Sequence, residues 1–189
     1  MTAAASRLVA GARARTAAVV LLGAVVDACL AWRFGASAPL AAYLVFGTAL
    51  TAVSATDVRA RRIPDRVVVP AYVCGAALLV LASRLSGQWS PLARAGIASV
   101  LLCAFYLALG LFFPGQMGMG DVKLAGLVGL FLGWLGWGPV VIGTLVAFSM
   151  AALFVLTRRM ASRPKAARSV VAMAPFMAAG ALVAVLVSR

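Results

Sequence analysis

The 189-residue chain has no histidine and no glutamate, and its four acidic residues are all aspartates. Its three cysteines, Cys29, Cys74 and Cys103, stand apart inside apolar runs, and no CxxC pair occurs. A zinc centre takes clustered Cys, His or carboxylate ligands, so no metal is expected. No disulfide framework is implied either, and each thiol reads as a small core hydrophobe. The short alternating segments of a transmembrane barrel are missing. So are a long linker, a soluble domain and an internal repeat.

What the chain has is apolar length. Hydrophobic residues make up 65% of it, with a mean hydropathy of +1.08, whereas soluble domains are about half apolar. Seven apolar spans lie at roughly 16–33, 38–56, 66–84, 95–113, 120–137, 139–157 and 169–188. A run of about 20 such residues crosses a bilayer core of about 30 Å. The expected fold is all-α, a polytopic transmembrane bundle of about seven spans. It divides into residues 1–37, with the first span, and a six-span core over residues 38–189. A signal peptide cut at Ala36-Ser37-Ala38 is the other reading of the first span. Its long apolar stretch and the nearby Arg33 favour a retained helix.

The net charge is +13. In a soluble protein that balance points to nucleic acid. Here the basic residues fall between spans, where the positive-inside rule puts them, and no nucleic-acid partner is expected. With the N-terminus in the cytoplasm, Arg7, Arg13, Arg15, Arg59, Arg61, Arg62, Arg66, Lys123, Arg158, Arg159, Arg163, Lys165 and Arg168 are inside. Arg33, Arg84, Arg94 and Arg189 are outside. That division, 13 of 17, predicts a multi-pass protein of the cytoplasmic (inner) membrane with its C-terminus outside and lipid as a neighbour.

Two carboxylates fall at matching depths. Asp57 ends the second span in "TAVSATDVRARRIPD". Asp121 opens the fifth in "GMGDVKLAG"; a count of about 20 residues back from the interfacial Trp137 reaches Gly118, which puts Asp121 just inside the boundary. Both therefore sit at the cytoplasmic rim. An ionisable residue at membrane depth is costly and by default points to function, the structural alternative being an anchor paired with a nearby Arg or Lys. Gly118 and Gly120 allow close backbone approach, and Lys123 follows as loop support. Gly126, Gly129 and Gly133 share one helical face, which would let the helix of Asp121 approach that of Asp57. Asp65 suits an N-cap of the third span. Asp27, inside the first span, is expected to meet a polar group on a neighbouring helix.

"GMGD" fits the GxGD signature of membrane aspartyl proteases. Together with "DVRARRIPD" upstream and the "GDVKL" continuation, the chain resembles the type IV prepilin peptidases over about residues 38–188. Asp65 stands where that family usually has Asn. Near the C-terminus "AMAPFMAAGAL" keeps only Pro175 and Phe176 of the family's Pro-Phe-Gly-Pro-Phe-like motif. No CxxC-marked segment separates the first two spans, so the resemblance is to the short, peptidase-only form serving tight-adherence (Flp-type) pili, and N-methylation is not expected. The resemblance implies an aspartic endopeptidase with Asp57 and Asp121 as catalytic residues, no cofactor, and prepilins or pseudopilins as substrates. Two rivals are weighed against it. An ion-coupled transporter would place such aspartates near the midplane. A presenilin-like protease has Tyr before its first aspartate, where Thr56 stands here.

Overall fold

A computed structural model describes residues 3–113, 117–161 and 172–188. Arg163, Lys165, Arg168 and Arg189 lie outside the described residues. Seven helices and no strand occur among those described: α1 (Ala3–Phe34), α2 (Leu40–Ala60), α3 (Asp65–Ser86), α4 (Ser90–Phe112), α5 (Met119–Leu135), α6 (Trp137–Ala161) and α7 (Ala174–Val187). Five of them, all but α5 and α7, are long and apolar enough to cross a membrane. The protein is a multi-pass helical membrane bundle.

Gly and Pro punctuate the chain where helices must stop and restart. Gly87 closes α3 in the left-handed region at φ 69°, which costs a glycine little. Prolines stand at or just inside the starts of α2, α3, α4 and α7, where a missing N–H leaves no helical bond unmade.

At the centre is α5. From Val122 to Gly133 nearly every residue is buried, as expected for a helix apolar all round. Its glycine face lies against α4. A Cβ on Gly129 would stand 2.5 Å from the Ala98 carbonyl oxygen, and one on Gly133 would stand 2.5 Å from Ala98 Cβ. The expectation that this stripe draws α5 toward α2 is therefore corrected. Helical spacing tells which residues share a face, and the neighbour that meets the face is α4.

Between α2 and α5 stand aromatic rings instead. Phe46 stacks on Phe131 with centroids 4.3 Å apart. Tyr43 packs edge-on against Phe131 and donates its hydroxyl hydrogen bond to the Phe131 carbonyl at 2.6 Å. All three rings are fully buried. Dispersion at that stack fixes how far one helix slides along the other.

On the periphery, α1 is held by polar and aromatic contacts. Thr48 Oγ1 donates to Asp27 Oδ2 at 3.2 Å, which gives Asp27 the expected partner on a neighbouring helix. Phe34 stacks on Tyr43 at 4.2 Å, and Arg33 donates to the Ser188 carbonyl.

Candidate functional site

The aromatic stack accounts for the position of the two aspartates. From Phe46 to Asp57 is 11 residues along α2, about 16 Å. From Phe131 back to Asp121 is 10 residues along α5, about 15 Å. The two helices run antiparallel, so equal steps from one contact bring both carboxylates level at one end of the bundle. There they line a single cavity of about 270 Å³.

Contacts elsewhere agree on which residues share an end. Arg94 Nε and Nη2 donate to the carbonyls of Gly133 and Trp134, both at 2.7 Å, and Arg33 meets Ser188. Those residues, which charge counting puts outside, form one end. Asp57, Asp65, Asp121, Lys123 and Ala174 meet at the other.

The chain turns sharply beneath Asp57. Arg61 takes the left-handed conformation at φ 48°, ψ 38°, and its N–H donates to the Asp57 carbonyl at 2.8 Å. Pro64 then starts α3. Arg61, Arg62 and Ile63 form one wall of the cavity. Ile63 abuts Gly120, where an added Cβ would be 2.7 Å from Ile63 Cβ. Gly120 thus brings the start of α5 onto the loop that follows α2, the approach expected of Gly126, Gly129 and Gly133.

Asp121 is fixed by its own helix start. Its N–H donates to the Gly118 carbonyl at 3.0 Å, and the Gly118 N–H donates to Asp121 Oδ2 at 3.1 Å. This is the reciprocal bonding of a capped helix start. Gly118 does it at φ −85°, ψ 150°, ordinary extended backbone open to any residue.

Asp57 is only 5% exposed. Its Oδ2 accepts a hydrogen bond from the Ala174 N–H at 3.1 Å, at the first residue of α7. Sequence reasoning left this segment without a role. The available signal was Pro175, since a proline in an apolar run marks a helix start. Arg61 and Arg62, which the sequence presents as positive-inside charge and as part of "DVRARRIPD", form part of the cavity wall.

Lys123 faces away from the cavity lining. Its Nζ bonds Asp65 Oδ1 at 2.7 Å, while its carbonyl accepts from the Tyr72 hydroxyl at 2.9 Å. Asp65 is therefore not the N-cap expected. Pro64 holds that position, and the Asp65 side chain makes no cap bond. The carboxylate instead ties α3 to α5. Exposed pairs of this kind contribute at most about 1 kcal/mol. Asp65→Asn is thus expected to lower thermal stability by no more than that and to leave most activity, as a melting curve and a turnover assay would show. A collapse of folding would mean that the pair does more.

Among the described residues no cluster of His, Cys, Asp or Glu is placed to hold a metal ion. The site offers two carboxylates and two backbone amides. That set can take a proton from water and return one to a leaving group.

Residues 44–156 match the model of the type IV leader peptidase family, and the chain belongs to that family. The match runs from α2 into α6 and includes both Asp57 and Asp121. No curated protein and no solved structure matches the chain.

Proposed function

We propose that this leader peptidase is an aspartic endopeptidase that uses Asp57 and Asp121 to remove a short basic leader from prepilin-like, Flp-type precursors at the cytoplasmic face of the membrane. The observation that carries the reading is the single cavity lined by both carboxylates. They are 64 residues apart in sequence and level in the bundle.

Two neighbouring carboxylates do not both ionise cheaply, so the pair shares one proton. The ionised member takes a proton from a water in the cavity as that water attacks the scissile carbonyl. The protonated member hydrogen-bonds the carbonyl oxygen and later protonates the leaving amine. The pair titrates as a unit.

Location supports the substrate class. A precursor with a basic leader followed by an apolar helix would lay that helix in the bilayer. Its leader–helix junction then meets the rim where the cavity opens. Arg59, Arg61, Arg62 and Arg66 are exposed around that rim, suited to phospholipid headgroups. In this reading residues 38–189 are the catalytic unit, and α1 is an added span latched through Asp27 and Thr48.

The test is co-expression with a leader-bearing precursor and mass measurement of the product. The expected result is one cut at the junction of leader and apolar helix, with an unmethylated new N-terminus. A precursor that stays intact beside well-folded protein would overturn the proposal.

A further inference from the structure

Ala174 and α7 lie beyond residues 44–156, the stretch that matches the family model, yet they supply the hydrogen bond to the Asp57 carboxylate. The local chemistry explains why one amide does so. A helix leaves its first N–H groups without intrahelical partners. In α7, Phe176 and Met177 both donate to the Met173 carbonyl at 3.1 Å, and Pro175 has no N–H. The Ala174 N–H remains, and it meets Asp57 Oδ2. No side chain of α7 caps this end; Asp57 takes that place from another helix. Ala174 is fully buried, so water does not compete for the bond. The partial positive charge of the helix end acts on the same oxygen. The amide also stands on a well-seated element, since Gly180 of α7 abuts the Gly143 backbone of α6.

We infer that the start of α7 is a positioning element for Asp57: the Ala174 N–H holds Oδ2 and thereby turns Oδ1 toward the cavity, where it meets the attacking water. A carboxylate at the end of α2 otherwise rotates about two side-chain bonds, and in many of those rotamers neither oxygen faces the water. Pro175 has a part in this, because it removes the neighbouring donor and leaves one amide for one oxygen. The catalytic part of the inference rests on the peptidase reading above.

Two measurements test it. Ala174→Pro deletes the N–H but also disfavours the α conformation of Met173 at φ −87°, ψ −28°, which is why the exchange measurement stands beside it, whereas Ala174→Gly keeps the N–H. With a precursor peptide in lipid vesicles, Ala174→Gly is expected to turn over like the parent. Ala174→Pro is expected to lose about tenfold to a hundredfold in kcat with KM within about twofold. A folded Ala174→Pro with the kcat of Ala174→Gly overturns the inference. Hydrogen–deuterium exchange reads the bond without catalysis and decides the matter if Ala174→Pro does not accumulate. Exchange at the Ala174 amide is expected to speed up about tenfold or more in Asp57→Ala, with Leu182 to Val185 of the same helix unchanged. Equal exchange in parent and variant overturns the inference. A parent chain that cleaves no precursor while exchange responds overturns the peptidase reading, and with it the catalytic role of the bond.

Discussion

Asp57→Asn and Asp121→Asn are each expected to insert and accumulate like the parent chain and to release no leader. Asparagine keeps the shape of the side chain. Its carbonyl oxygen still accepts the Ala174 N–H at position 57 and the Gly118 N–H at position 121, so both helix starts stay capped. What is lost is the ability to take or give a proton at neutral pH. General acid–base groups contribute about 10²- to 10⁴-fold each, and a pair that works as one unit loses most of its effect when either member goes. Cleavage should therefore fall about a thousandfold or more, read as the fraction of precursor converted at matched protein levels. Full conversion by either variant would remove the aspartate pair from the mechanism.

The second large effect is structural. Gly129→Leu is expected to abolish assembly of the bundle, because a Cβ there meets the Ala98 carbonyl oxygen at 2.5 Å and Ser99 Cα at 2.9 Å. Both are helical backbone, which cannot step aside without pushing α4 off α5. Overpacking of this kind costs about 3 kcal/mol or more, a large share of a typical domain's stability. Gly118→Ala is the control, since its added Cβ would lie 3.5 Å from Asp121 Oδ2, an ordinary contact. The monodisperse fraction in detergent separates the two. A well-assembled Gly129→Leu would mean that α4 and α5 are not as close as described.

The helices were legible because an apolar run of span length has few other uses. The second span, read as 38–56, is Leu40–Ala60, and the third, read as 66–84, is Asp65–Ser86. Depth was legible too. Counting residues along α2 and α5 puts Asp57 and Asp121 at one level, and in the structure both line one cavity. What sequence could not supply was the identity of neighbours. The glycine face of α5 was visible, but nothing in its spacing named α4. The partner of Asp65 is 58 residues away and that of Asp57 is 117 residues away. One is a lysine already noted for another purpose, and the other is a backbone amide, which no sequence pattern displays. Helix lengths also came out shorter for α5, at 17 residues, and for α7, at 14. In α5 the short run is offset by enclosure, since the other helices rather than lipid surround it.

The central claim is that Asp57 and Asp121 form one site on the cytoplasmic face, and side-directed labelling tests it most directly. The background is Cys29→Ala, Cys74→Ala and Cys103→Ala, which removes thiols assigned no chemistry and is expected to remain active. Single Arg61→Cys and Met119→Cys changes place a thiol on each wall of the cavity. Both are expected to be shielded from a membrane-impermeant reagent in intact cells and to react once the membrane is opened. Ser90→Cys and Ser188→Cys are expected to react from outside. Labelling of Arg61→Cys and Met119→Cys from opposite sides of the membrane would separate the two aspartates and contradict the account.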